Sequence, residues 1–128
     1  MKHILRLTVM LSVVYSLPMF SQSNRNIESL SAQEFKKTIE TGKVILIDVR
    51  TTQEYAQGHI DKAINISAGD PEFVAKVKKL NGKSLALYCR SGRRSKSAIS
   101  MLNNLKLKIY ELNGGIIDCQ QAGFPLKN

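Results

Sequence analysis

A run of four apolar residues, three of them β-branched, occupies positions 44–47 and constrains the fold more than any other stretch. Continuous apolar strands are typical of parallel sheets that are covered on both faces, whereas half-buried strands alternate apolar and polar residues. Three further short, predominantly apolar runs follow at 63–66, 85–88 and 107–112. The pattern predicts four strands of a small, mostly parallel sheet.

Helical patterns lie between and around these runs. Ser31 and Glu34 form a capping-box pattern at the first of them, and Gly42 is placed to end it. The predicted helical segments are 31–42, 52–57, 70–81, 95–103 and 116–122. Strands that alternate with helices over short connections predict an α/β fold in which helices flank both faces of the sheet. The polar residues 22–29 are expected to form a linker.

The amino terminus has the pattern of a secretory signal peptide over residues 1–21. Lys2 and Arg6 supply positive charge, residues 7–17 are apolar, and Ser21 offers a small residue for cleavage. We therefore expect one domain at 22–128, exported to a bacterial periplasm, without stable membrane insertion after cleavage. An uncleaved leader that anchors the protein in the membrane is the alternative, although the apolar run is short for a spanning helix.

The formal net charge of +9 favours anionic partners. Nucleic acid is not expected among them, because the lysines are scattered along helical segments and no aromatic residues are interleaved with them. The two cysteines, Cys89 and Cys119, are too few for a disulfide framework, and their spacing matches no structural zinc site. No metal or cofactor is expected.

Cys89 ends the third apolar run and is followed at once by a short basic loop and a helical pattern. At a helix N-terminus, unpaired backbone N–H groups and nearby cations lower a thiol pKa from about 8.5 into roughly the 3.5–7.5 range. The same N–H groups can hold an anion. We therefore predict Cys89 as a catalytic nucleophile, and an active-site loop made of Arg90, Ser91, Gly92, Arg93, Arg94 and Ser95. A buried, inert thiol would bury these arginines as well.

Polar residues also follow the run at 44–47. Asp48 and Arg50 come at the carboxyl end of that strand, where ligands bind in parallel sheets, and Glu54 lies in the next helix. These three residues are predicted to support the rim of the site. A purely structural ion pair that joins loops is the alternative, with Glu54 as a potential partner. His59 is expected to make structural hydrogen bonds.

In these features the chain resembles the single-domain rhodaneses over residues 27–126. The resemblance is carried by short segments in matching order, at 47–50, 54–55, 58–60, 63–66, 89–95 and 113–115. It implies a sulfurtransferase in which the Cys89 thiolate takes the outer sulfur of thiosulfate, or a related donor, as a persulfide. Cyanide, a small thiol or a protein thiol would then accept the sulfur. Among the arginines, the family pattern favours Arg94 for attracting the anionic donor.

Alternatives remain for the function of the chain and for the role of Cys119. Phosphatases and arsenate reductases of related fold carry Arg at the seventh loop position, but here Arg94 is sixth and Ser95 seventh, and Tyr88 precedes the cysteine where phosphatases commonly have His. A persulfide carrier, redox sensor or binding module of the same fold would not catalyse repeated sulfur transfer. Cys119, where the family often has Trp, is either a core residue or a resolving thiol for Cys89.

Overall fold

A computed structural model describes residues 26–128, which form a five-stranded sheet with helices on both faces. All pairings are parallel, in the order β1-β5-β4-β2-β3. The strands are β1 Ile27–Leu30, β2 Ile45–Asp48, β3 Ile64–Asn65, β4 Ser84–Tyr88 and β5 Lys108–Leu112, and the helices are α1 Ala32–Glu40, α2 Thr52–Gln57, α3 Phe73–Lys79, α4 Arg93–Met101 and α5 Gly115–Gln121. The predicted α/β class is confirmed.

The two faces of the sheet carry two separate apolar cores. On one face, Leu85 and Leu87 of β4 pack with residues of α3 and α4. On the other, Ala86 and Tyr88 of the same strand pack with residues of α1 and α5. Alternate residues of a strand point to opposite faces, so a continuous apolar run can serve both cores.

The prediction of a linker at 22–29 is wrong from Ile27 onward, because β1 begins there. Of its four residues only Leu30 is buried, since β1 lies at the edge of the sheet. Its ladder with β5, from Ile27↔Ile109 to Leu30↔Leu112, stabilises a segment whose own sequence reads as polar. The predicted signal peptide at 1–21 lies outside the described residues. Within 26–128, no helix is long and apolar enough to cross a membrane.

Two helix starts also differ from prediction. The Asp70 carboxylate accepts from the Glu72 N–H within a turn, and α3 begins only at Phe73. Helix α4 begins at Arg93, with Gly92 as its N-cap at φ +101°. Ser95 therefore lies inside the first turn of α4 and does not cap it. Ser31 caps α1 as predicted by accepting from the Glu34 N–H, but the Glu34 carboxylate accepts from the Ser31 hydroxyl, so only the Ser31 half of the predicted capping box is observed.

Candidate active site

The parallel sheet places the predicted site residues at one edge. Strand β4 ends at Tyr88, directly before Cys89. Asp48, at the end of β2, is the register partner of Tyr88. Because carboxyl ends of parallel strands meet at the same edge, Cys89 and the segment 48–50 become neighbours. The predicted convergence of these two segments is observed.

The loop from Cys89 to Ser95 curls around the cysteine sulfur. The Gly92 N–H donates to Cys89 Sγ at 3.0 Å, and Ser95 Oγ lies 3.7 Å from the same sulfur. Gly92 adopts a left-handed conformation that favours glycine, and this turns its N–H inward. Cys89 is 1% exposed, so the loop shelters the sulfur from bulk water.

Burial by itself would raise the pKa of the Cys89 thiol, because it disfavours the charged thiolate. Hydrogen bonds from the backbone and hydroxyl of Ser95 and from the backbones of Gly92 and Ser91 outweigh burial, and the pKa lies below the ordinary value for a thiol. The loop therefore stabilises a sulfur anion chiefly through backbone N–H groups, as the sequence predicts.

The start of α5 holds the loop from the other side. The Ile116 N–H donates to the Cys89 carbonyl at 2.9 Å, and the Ile117 N–H donates to the Arg90 carbonyl at 3.2 Å. Gly115, at φ +68°, packs so closely that a Cβ there would lie 2.3 Å from the Arg90 oxygen. Gly115 was not among the predicted site residues. The glycine pair directly after a strand was the available signal.

The three loop arginines have different surroundings. Arg94 makes a two-pronged ion pair with Glu54 of α2, with N···O distances of 2.6 and 2.8 Å. Arg90 and Arg93 are exposed. Arg90 also lines a cavity of about 510 Å³ that reaches Arg50 and the α5 residue Ile117. Arg90 is thus open to solvent beside this cavity, whereas Arg94 is paired with Glu54 and lies close enough to Cys89 to interact with its charge.

Glu54 also belongs to a capping box with Thr51, so it joins α2 to the active-site helix α4. The Arg94 hydrogen bond lowers the pKa of Glu54 to about 2, against the opposing effect of burial. A carboxyl whose pKa is lowered by folding stabilises the folded state at any pH above the pKa that the group has in the unfolded chain. This contribution is lost as the pH falls toward 2.

Asp48 and Arg50 form a buried ion pair with an N···O distance of 2.7 Å. The Arg50 guanidinium also donates to the Gly58 carbonyl at 2.6 Å, and the Asn65 side chain donates to the Asp48 and Arg50 carbonyls. Burial would lower the pKa of Arg50, but hydrogen bonding and attraction to Asp48 raise it. The pair thus links the carboxyl end of β2 to Gly58 after α2, in agreement with the structural alternative, although Glu54 pairs with Arg94 and not with Asp48 or Arg50.

The remaining predicted residues lie away from the sulfur. His59 stacks on Tyr55 with ring centroids 3.7 Å apart, and its Nδ1 lies 2.9 Å from the Tyr55 carbonyl, as expected for a structural histidine. Cys119 is fully buried in the core on the other face of the sheet from Cys89, and both cysteines are free. In the part of the chain that the structure describes, no group of three or more His, Cys, Asp or Glu residues is placed to hold a metal ion.

Comparison with known proteins assigns the family. A model of the rhodanese-like domain matches residues 31–122. The chain belongs to the rhodanese-like family. The rhodanese-related protein of Thermoplasma volcanium has a structure with a TM-score of 0.66 and 27% identity, covering 78% of this chain and 97% of that one. The resemblance inferred from the loop and its flanking segments is confirmed.

Two further proteins that are similar to this chain carry functional names. The tRNA uridine(34) hydroxylase of Buchnera aphidicola is 35% identical over 107 residues, which are 76% of this chain and 33% of that protein. This chain thus spans about a third of the length of the curated relatives it matches. A thiosulfate sulfurtransferase from Pseudomonas aeruginosa shares the fold, with a TM-score of 0.70 at 24% identity over 82% of this chain and 21% of that one.

Proposed function

We propose that this chain is a sulfurtransferase that carries sulfane sulfur from thiosulfate, or a related persulfide donor, to cyanide or a thiol through a persulfide on Cys89. The observation that carries the proposal is the sheltered Cys89 sulfur, which accepts the Gly92 N–H at 3.0 Å inside a loop with two exposed arginines. Such a loop can stabilise a nucleophilic thiolate and then the persulfide anion, in which the charge lies one sulfur atom further out.

In the first step the Cys89 thiolate attacks the outer sulfur of thiosulfate. A new S–S bond forms to Cys89 as the S–S bond within thiosulfate breaks, and sulfite leaves with the bonding electron pair. Cys89 now carries a persulfide with one negative charge. The loop N–H groups stabilise that charge in the way an oxyanion hole stabilises an alkoxide.

In the second step the carbon of cyanide, or the sulfur of an acceptor thiolate, attacks the outer sulfur of the persulfide. Cys89 leaves as a thiolate, and the product is thiocyanate or a new persulfide. No external oxidant or reductant is needed, because thiosulfate is reduced to sulfite as cyanide or the acceptor thiol is oxidised. The loop N–H groups that stabilised the persulfide then stabilise the returning thiolate, which is ready for the next donor.

The assay that tests this proposal supplies the purified chain with thiosulfate and cyanide and measures thiocyanate. We expect turnover that saturates with thiosulfate. If no thiocyanate forms from thiosulfate or from a persulfide donor, the chain is a carrier, sensor or binding module and the enzyme proposal is wrong. A phosphatase is disfavoured because Ser95 takes the seventh loop position and Arg94 is paired with Glu54.

A part in tRNA uridine hydroxylation is a second candidate, favoured by the name of the relatives that are 35% identical. Those proteins are about three times longer than the matched segment, so the activity of the whole protein does not transfer with it. Mass spectrometry of nucleosides from tRNA incubated with the chain distinguishes the candidates. Hydroxylated uridine without thiocyanate formation would favour the second one.

Arg90 and Arg94 are expected to differ in their effect on donor binding. Arg90→Gln should raise the KM for thiosulfate about fivefold, because loss of one exposed cation weakens the salt-screened attraction of the doubly charged donor by about 1 kcal/mol. Arg94→Gln should raise it less, because Glu54 already neutralises Arg94. Steady-state kinetics of both variants at constant ionic strength make the comparison. A larger increase for Arg94→Gln would assign donor attraction to Arg94.

A further inference from the structure

Glu111 is a buried carboxylate that the proposed sulfur-transfer steps do not use. It lies near the carboxyl end of β5 and is only 4% exposed. Buried carboxylates are rare unless they are paired. Its Oε1 atom accepts from Lys96 Nζ at 2.6 Å and from Ser95 Oγ at 3.3 Å. Both partners belong to the first turns of α4, so this carboxylate lies directly behind the active-site loop.

The Ser95 hydroxyl connects Glu111 to the reactive sulfur. Ser95 Oγ lies 3.7 Å from Cys89 Sγ, 3.3 Å from Glu111 Oε1 and 3.0 Å from the Gly92 carbonyl oxygen. A hydroxyl carries a single proton to donate, so it cannot serve the Gly92 carbonyl, the Glu111 carboxylate and an ionised Cys89 sulfur at the same time. A thiol can donate to Ser95 Oγ, whereas a thiolate or persulfide anion can only accept from it.

We propose that Glu111 is a positioning residue for Ser95: its carboxylate competes with the ionised Cys89 sulfur for the single hydroxyl proton, while Lys96 holds the carboxylate in place. With Cys89 as a thiol, S–H donates to Ser95 Oγ and the hydroxyl serves Glu111 or Gly92. With Cys89 as a thiolate, the hydroxyl turns to the sulfur and Glu111 keeps Lys96. The effect of this competition on a Cys89 persulfide rests on the proposed function, but the competition with the thiolate already operates in the free enzyme.

Substitution of Glu111 and of Lys96 should therefore act on Cys89 in opposite directions. Glu111→Gln removes a negative charge, and its amide can donate to Ser95 Oγ, which frees the hydroxyl proton for the sulfur. Lys96→Met removes the cation that offsets Glu111. The other charged groups around the loop stay the same in both variants: the Arg94–Glu54 pair from α4 and α2, the Asp48–Arg50 pair after β2, exposed Arg90 and Arg93, and Asp118 of α5 beside Gly114.

The test measures the pH dependence of Cys89 alkylation by iodoacetamide, quantified by mass spectrometry of the Cys89 peptide from the full chain. We expect the midpoint to fall by about one pH unit in Glu111→Gln and to rise by a similar amount in Lys96→Met. Lys106→Met is the matched control. It removes an exposed lysine that precedes β5, at the opposite edge of the sheet, and should leave the midpoint unchanged.

An unchanged or higher midpoint in folded Glu111→Gln would overturn the proposal. If Glu111→Gln does not fold, Lys96→Met remains informative, because the Lys96 side chain is 57% exposed and tolerates substitution; an unchanged midpoint there would also overturn it. Adding Ser95→Ala should shrink the Glu111→Gln shift, since the competing hydroxyl is gone. If the alkylation midpoints shift in opposite directions but no thiocyanate forms, the role of Glu111 is supported and only the proposed sulfur transfer is rejected.

Discussion

Replacing Cys89 with serine is expected to reduce thiocyanate formation from thiosulfate and cyanide at least about a thousandfold, to the limit of detection. A serine hydroxyl at this position cannot form the S–S bond that stores the transferred sulfur, and it does not ionise at neutral pH. The loop should keep its shape, because the Cys89 and Arg90 carbonyls still accept from α5. Thiocyanate formation at equal concentrations of folded protein measures the effect.

Cys119→Ser is the matched control for this prediction. Cys119 is fully buried in the opposite core, and burial raises its pKa to about 11, so it is a protonated thiol at neutral pH. Cys119→Ser should therefore keep sulfur transfer close to the wild-type rate. Turnover by Cys89→Ser would contradict the assignment of the nucleophile. Loss of turnover in Cys119→Ser alone would instead support a resolving thiol.

The second large effect is expected on stability. Asp48→Asn should lower the free energy of unfolding by about 3–5 kcal/mol, because it leaves the buried Arg50 guanidinium without its counter-charge. That loss is a large part of the total stability of a small domain. The Arg50 donations to Asp48 and Gly58 also connect the loops beside the active site. Urea unfolding followed by circular dichroism gives the difference.

Asp70→Asn provides the comparison for Asp48→Asn. It breaks the ion pair between Asp70 and Lys76, which lies at the surface. Exposed pairs contribute little because water and salt screen them, so Asp70→Asn should shift the urea midpoint far less. Equal losses in the two variants would mean that the Asp48–Arg50 pair has no special role in stability.

Much of the fold and the centre of the site follow from the sequence alone. Continuous apolar runs indicate the inner strands, because a strand covered on both faces has no polar side to mark it. Cys89 and Asp48 each end such a run, and parallel pairing then brings them to one edge. Gly92 and the helix that follows predict the inward N–H groups around the sulfur, and these are observed.

Other features depend on tertiary contacts that no local pattern reports. Strand β1 is half exposed, and its partner β5 lies at the far end of the chain. The Arg94–Glu54 pair joins residues that are 40 positions apart, so an arginine in the loop could not be recognised as already neutralised. Glu111 reads as one polar residue in a strand, and only the packing of α4 shows that it contacts Ser95.

Sulfur transfer through Cys89 is tested most directly by the mass of the chain after incubation with thiosulfate and removal of excess donor. We expect one added sulfur atom, localised to the Cys89 peptide, which cyanide removes with release of one equivalent of thiocyanate. Cys89→Ser should gain nothing, and Cys119→Ser should gain the same sulfur as the wild type. A wild-type chain that stays at its original mass, or that carries the sulfur on Cys119, would contradict the persulfide mechanism.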